Sequence, residues 1–318
     1  MNPDFPRPRL GVSACLLGQP VRWDGGHKRD RFTAEVLAQH VDFVPLCPEA
    51  AIGLGVPRPP IRLVGEPEAP RARGVKDATL DVTAPLRAYG AAQGAAQAGL
   101  SGYVFKKDSP SCGVFKVRVY GEDGQVRGHG RGLFADEILK GQPWLPAEED
   151  GRLNDAVLRE NFMARVFTLA RWQRDVQPAP TARALVEFHT THKFMILAHG
   201  QTAYRELGRI VARAGAGDPA RAAADYLPPL MQTLARPALR RQHTNVLHHL
   251  LGFLKRGMSR SDKAELLQLI DRHRRGLVPL VAPLVLLRHH LPRVGNAYLA
   301  RQHYLAPYPE DLMLRNLI

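Results

Sequence analysis

The chain has 318 residues, 45% apolar and 23% charged: the length of about two domains and the balance of a globular protein, which excludes a disordered or collagen-like chain. Its longest apolar run, residues 277–287, contains two prolines and falls well short of the roughly twenty residues of a membrane-spanning helix. The start, MNPDFPRPRL, has no apolar signal stretch, so a cytoplasmic protein without a membrane partner is expected. Residues 1–150 carry 19 Lys and Arg against 18 Asp and Glu, and residues 151–318 carry 25 against 12. The +13 excess in the second half points to an anionic macromolecule, nucleic acid foremost.

In chain order, residues 9–14 (RLGVSA) read as a short buried strand, and Cys15 follows it. Residues 30–39 read as a helix with Phe32, Val36 and Leu37 on its apolar stripe. Residues 41–46 (VDFVPL) are a second strand, with Cys47 next. Residues 79–98 are Ala-rich and predict a helix with Asp77 or Asp81 near its start; residues 102–106 (GYVFK) are a third strand, with Cys112 in the loop after it. Strands alternating with helices predict a parallel sheet with right-handed crossovers, whose C-terminal strand ends share one edge. Ligands of open α/β sheets bind at that edge, so three cysteines 32 and 65 residues apart can meet there. Residues 114–120 and 125–131 flank Gly-Glu-Asp-Gly and predict a hairpin. The Pro-rich, acidic stretch 141–151 reads as a domain linker. Beyond it the period becomes helical: Phe162, Val166 and Leu169 share a face, as do Leu185, Phe188 and Ile196, and further helices are expected near 200–215, 219–235, 238–256, 260–275 and 296–305. The expected architecture is an α/β N-terminal domain with a largely parallel sheet (1–145), followed by an all-α helical domain (151–318).

An odd number of widely spaced cysteines argues against a disulfide framework and against a zinc-finger pair. Three thiolates without a fourth suit a [4Fe–4S] cluster with one iron open to substrate; the alternative is three buried structural cysteines. Cys47 stands in Leu-Cys-Pro-Glu, which puts Glu49 beside the site, and Cys112 stands in the polar run Lys-Lys-Asp-Ser-Pro-Ser-Cys-Gly. The Gly-rich loop 53–58 (GLGVPR) either brings backbone N–H groups and Arg58 to a phosphate or is a structural turn, and Lys28, Arg29 and Arg62 are further candidates for substrate contact.

These residues resemble a known family. The motifs Cys-Leu-Leu-Gly at 15–18, Val-Arg-Trp-Asp-Gly-Gly-His at 21–27, Cys-Pro-Glu at 47–49, Gly-Leu-Gly-Val-Pro-Arg at 53–58 and Ser-Pro-Ser-Cys-Gly at 109–113 resemble the thiouracil desulfidase family. Residues 151–318 resemble the YbgA-type helical domain through Phe-His-Thr-Thr-His-Lys at 188–193, His-Thr-Asn-Val-Leu-His at 243–248 and Gln-His-Tyr-Leu-Ala-Pro-Tyr-Pro at 302–309. The fused form is similar to bacterial desulfidases acting on 4-thiouridine in tRNA. The resemblance implies an oxygen-sensitive [4Fe–4S] cluster on Cys15, Cys47 and Cys112 and a non-redox hydrolysis. The thiocarbonyl sulfur binds the open iron, water attacks the activated carbon, sulfide stays on the iron and uridine leaves. Glu49 is the expected base or proton shuttle. Ser109 or Ser111 hydrogen-bonds the base or the water, or simply forms the turn beside Pro110; Asp24 assists catalysis or caps its loop.

In the second half, His189 and His192 lie three apart on one helical face, a spacing that suits a metal, but packing between helices or a place near phosphates is the expected role. Basic clusters at Arg240, Arg241, Lys255, Arg256, Arg272, Arg274 and Arg275, with Tyr204, Tyr226 and Tyr298, are the expected tRNA contacts. Nothing in the sequence singles out a stable protein partner. Two other readings stay open: desulfuration of free thiouracil or another small thiolated base, and a non-enzymatic cluster protein that binds RNA.

Overall fold

The computed structural model describes residues 5–318. Two units are built from it, Arg7–Asn154 and Asp155–Ile318, and the described start of the chain joins the second, where Phe5 meets Phe167 edge-on at 6.0 Å between ring centroids. Among the described residues no helix is long and apolar enough to cross a membrane.

The first unit is α/β. Strand β1 (Arg9–Ser13) is followed by β2 (Asp42–Leu46), the short helix α1 (Pro48–Ala51), β3 (Ile61–Val64), β4 (Arg71–Gly74), helix α2 (Thr83–Ala96), β5 (Gly102–Phe105), β6 (Val117–Tyr120), β7 (Val126–Gly130), helix α3 (Leu133–Gly141) and β8 (Ala147–Glu149). One sheet runs β2-β1-β5-β8 with every pairing parallel; Leu10 faces Phe43 on one side and Gly102 on the other. The expected parallel sheet is thus present, with β2, β1 and β5 as neighbours. Gly11 is required at its centre, because a Cβ there would stand 2.2 Å from the ring of Tyr103. That ring stacks on Phe105 at 3.8 Å.

A second sheet, β4-β3-β6-β7, is mixed: β3 and β6 are parallel and the outer pairs antiparallel. The expected hairpin is β6–β7, and it belongs to this sheet. Its core is Ile61, Leu63, Ala72, Val117 and Val119 with Leu86 and Leu133.

Three details differ from expectation. Residues 30–39 form a π turn (Phe32–Val36) and a 3₁₀ turn (Leu37–Gln39), not a regular α-helix. Helix α2 starts at Thr83, not 79, because Gly74 and Val82 N–H donate to Leu80 O and Ala72 O and hold residues 80–82 against β4. Most instructive, 141–151 is not a linker. Its acidic residues are buried in β8, where Glu149 Oε1 accepts the N–H groups of Val114 (2.7 Å) and Phe115 (3.2 Å) and Glu148 Oε1 pairs with Arg152 at 2.7 Å.

The second unit is helical: α4 (Ala156–Asp175), α5 (Ala182–His199), α6 (Gln201–Ala214), α7 (Pro219–Leu234), α8 (Arg240–Leu254), α9 (Arg260–Arg274), α10 (Val281–Val294) and α11 (Ala297–Ala300). Side-chain oxygens of Asp155, Thr181, Asp218 and Ser259 cap α4, α5, α7 and α9. Helix α10 is an addition to the expected set. Pro283 lies in its first turn, where no intrahelical N–H is needed, so the prolines of 277–287 do not prevent it. The expected helix 296–305 shrinks to α11. Val246, Leu250, Leu266, Ile270, Leu284 and Tyr304 form a core shared by α8, α9, α10 and the C-terminal segment.

Candidate active site

The three cysteines stand past the C-terminal ends of three adjacent parallel strands. Cys15 lies in the 3₁₀ turn Ala14–Leu17 that follows β1; Cys47 directly follows β2 and opens α1, with Pro48 at its first position; Cys112 lies in the loop after β5. Ser109 shapes that loop: its Oγ accepts the N–H groups of Ser111 (3.2 Å) and Cys112 (3.1 Å), and its carbonyl accepts Gly113 N–H at 2.8 Å. Gly132 lets the loop seat closely, since a Cβ there would stand 2.5 Å from the backbone of Ser111.

All three cysteines border one cavity of about 450 Å³, together with Lys28, Glu49, Arg58 and Ser109. Glu49 is held at both oxygens: Arg58 Nε donates to Oε2 at 2.9 Å and Ser111 Oγ donates to Oε1 at 2.9 Å. Arg58 also donates from Nη1 to Gly55 O and from Nη2 to Val21 O, each at 2.9 Å, and Nη2 lies 4.0 Å from Cys47 Sγ.

Burial, aided by Cys47, pushes the Cys15 thiol up to about 11. Burial also pushes the Cys112 thiol well above its usual range, against a hydrogen bond with Ser13. Burial thus disfavours the thiolate form at both sulfurs, and a cationic centre would favour it. Among the described residues no three His, Cys, Asp or Glu side chains gather tightly enough for a single metal ion. Three soft donors spread around one cavity fit ligation of separate irons in a polynuclear cluster.

Other expected site residues are engaged differently or lie away from the cavity. Arg58 borders the cavity but is buried, and its Nε, Nη1 and Nη2 each donate to Glu49 or a backbone carbonyl. Ser111 is buried behind Glu49 and does not border the cavity. Asp24 is exposed and caps its own turn, with Oδ1 accepting Gly26 N–H at 3.0 Å; that bond holds its carboxyl below the usual range, and Arg22 helps. Arg62 sits in the other sheet, its guanidinium 5.3 Å from the centroid of Tyr120. Arg240 and Arg241 are exposed at the start of α8. Arg274 and Arg275 end α9, engaged by Asp271 at 2.7 and 3.6 Å. Arg240 lies beside that end, since a Cβ on Gly276 would be 2.9 Å from its Nη1, so these arginines share one region. His189 bonds Tyr226 OH at 3.0 Å and His192 bonds Phe188 O at 2.8 Å, as packing histidines do. The cavity wall also contains Arg22, Trp23, Lys106 and Lys107, which the sequence reading passed over. The strongest signal for Trp23 was its place inside the motif at 21–27.

Comparisons with known proteins divide the chain in the same way. Residues 10–150 match the family described as 2-thiouracil desulfurase, and residues 193–309 match a family described as a protein of unknown function, DUF1722. Over 161 residues the chain is 33% identical to the uncharacterized protein YbgA of Escherichia coli (strain K12), covering 49% of this chain and 94% of that protein. A solved structure of the [4Fe–4S]-dependent thiouracil desulfidase TudS is 31% identical, covers 46% of this chain and 94% of its own, and superposes with a TM-score of 0.37.

Proposed function

From the premise that the chain belongs to the 2-thiouracil desulfurase family through its first half and to the DUF1722, YbgA-type family through its second, we propose that it is a cytoplasmic, [4Fe–4S]-dependent desulfidase that converts 4-thiouridine in tRNA to uridine. The reaction is C=S plus water giving C=O plus hydrogen sulfide, with no net oxidation. The observation that carries this reading is the set of three cysteines, on three neighbouring strand ends, around one cavity with a fixed carboxylate.

Cys15, Cys47 and Cys112 would hold the cluster. When bound, the cluster supplies Lewis acidity toward a soft thiocarbonyl sulfur through an iron that no cysteine ligates. The protein's own part is the water. Glu49 takes its proton, and the bonds from Arg58 and Ser111 leave each carboxylate oxygen one lone pair while fixing the plane of the group. Ser109 Oγ already accepts two backbone N–H groups, so its hydroxyl proton is the part left to donate toward the cavity. A cavity of about 450 Å³ suits a single nucleotide, so a base in RNA must leave its stack to enter. Lys28 on the wall supplies positive charge where a backbone phosphate would follow the base, whereas Lys106 and Lys107 are already engaged by Asp150 and Asp108.

The helical unit supports the RNA half of the proposal. The second half of the chain carries twice as many basic as acidic residues, and a small substrate gives that excess no task. The test is anaerobic purification with iron and sulfide analysis, expecting about four irons per chain. Incubation then follows with tRNA bearing 4-thiouridine and, in parallel, with free 4-thiouracil. Sulfide released from the tRNA at the higher kcat/KM supports the reading. Release from free base alone moves the substrate to small molecules, and release from neither removes the activity.

A further inference from the structure

The cavity wall is mainly aliphatic and charged: Val21, Leu46, Pro60 and Ile61 stand beside the lysines, Arg22 and Glu49. Among the described residues that border it, Trp23 is the one aromatic. Its exposure is 46%, although tryptophan ordinarily hides most of its surface. The backbone beneath it is firmly tied. Trp23 O accepts Arg58 N–H at 2.9 Å, Arg22 N–H donates to Gly26 O at 3.1 Å, and Gly25 N–H donates to Arg22 O at 3.0 Å. Gly25 has φ 76°, a left-handed conformation that glycine takes without penalty. Asp24 Oδ1 adds the bond to Gly26 N–H. These bonds build the turn from backbone atoms, Asp24 and a glycine, so the turn does not need the indole. A tied turn thus holds a large, open π surface at the edge of the cysteine cavity.

We propose that the indole of Trp23 is the face on which the pyrimidine ring of the substrate lies. The inference rests on the desulfidase reading for the chemistry and stands separately for the binding. A base withdrawn from an RNA stack loses its neighbours, and an aromatic face at the entrance replaces one of them. Stacking also places the ring by its flat surface, leaving the edge that carries sulfur free to point inward. The preference is for a planar ring rather than for one base, because every base has a π face.

The probe is uridine 5′-monophosphate, which carries the product ring and has no sulfur to lose. It is titrated into anaerobically prepared full-length protein, with binding read by tryptophan fluorescence and by equilibrium dialysis. Stacking on Trp23 should quench part of the emission of the wild type. Trp23→Phe, which keeps a ring, should bind like the wild type. Trp23→Ala and Trp23→Leu should bind roughly 5- to 150-fold more weakly, the range that loss of one stacked base gives. Turnover of 4-thiouridine tRNA should show the same loss as a raised KM with kcat nearly kept. Iron content and circular dichroism confirm that each variant is folded and loaded. Wild-type affinity in Trp23→Leu overturns stacking, and wild-type affinity in Trp23→Ala overturns any contact. The two readings fail separately. A ring-dependent loss of binding in a protein that releases no sulfide keeps the stacking face and removes the desulfidase, whereas normal desulfuration with unchanged KM in Trp23→Ala does the reverse.

Discussion

Replacing Arg58 by Met tests whether the buried pair with Glu49 is a structural element. The two side chains are only 3% and 14% exposed, so solvent screens their attraction little. Removing one partner of such a pair costs about 3–5 kcal/mol, because the other charge stays buried without compensation. The carbonyls of Val21 and Gly55 lose their donors in the same step, which places the expected cost at the upper end of that range. In a unit of about 150 residues each kcal/mol moves the midpoint by about 2–4 °C, so a cost of about 5 kcal/mol in Arg58→Met should lower the melting of the first unit by roughly 10–20 °C. Differential scanning calorimetry on reduced, iron-free, full-length protein reads this without a contribution from metal binding, and the two units are analysed as separate transitions. Arg58→Lys keeps the charge but replaces a planar fork with one ammonium, so it should fall between wild type and Arg58→Met. An Arg58→Met protein that melts within about 2 °C of the wild type would refute the reasoning, and Glu49 would then owe its orientation to something else.

Glu49→Gln keeps the shape and an acceptor for Arg58 but loses the proton acceptor, so iron content should be unchanged while turnover falls about 10²–10⁴-fold; unchanged turnover removes Glu49 from the mechanism. Burial holds His189 down at about 4 and His303 at about 3, and pushes His192 and His243 below the usual histidine range. The unfolded chain therefore takes up protons that the folded helices refuse. The second unit should lose stability as pH falls from about 6.5 toward 4, read as faster amide exchange in α5 and α8 at pH 5 than at pH 7 after correction for intrinsic rates. Charge reversal at Arg240 and Arg241 should weaken tRNA binding and flatten its salt dependence, each lost phosphate contact removing roughly 0.7–0.9 from the log–log slope. The same change at Arg274 and Arg275, already engaged by Asp271, should do less, and equal effects in filter binding at two salt concentrations would contradict this ranking.

The sheet edge was readable before the structure because each signal was local. A short apolar run marks a strand, and a cysteine just past it marks the strand's end; parallel order then brings Cys15 and Cys47 together with Cys112. What the sequence hid were partners set by tertiary contact. Arg58 stands in a glycine-rich loop, where a guanidinium ordinarily looks free, and only the folded chain shows it buried against Glu49. Glu149 looks like part of an acidic, solvated linker, yet from the edge strand β8 it satisfies two backbone N–H groups more than thirty residues away. Strands β3 and β4 are four residues each, one with a single arginine and the other with arginines at alternate positions, so their period was too brief to stand out.

Charge separates into what a count reveals and what it conceals. In the first half bases and acids are nearly equal in number, and most acids have found a basic neighbour: Asp136 meets Arg87, Arg131 and Lys140, and Asp81 meets Arg71 and Arg73. An external anion gains little from cations already engaged in this way. In the second half the acids are too few to do the same, and most of the positive charge must remain uncompensated whatever the fold. The count therefore locates the field that would attract a polyanion, which acts over about a Debye length and needs no particular side-chain pose. It does not locate the contacts. Arg171 has the same formal charge as Arg240, but one lies in the helical core and the other on the surface at a helix start. The proposed attraction to RNA would in that sense be a property of composition, whereas the proposed hold on one base at the cysteine cavity would depend on groups such as Glu49 and Trp23 whose positions only the packed chain defines.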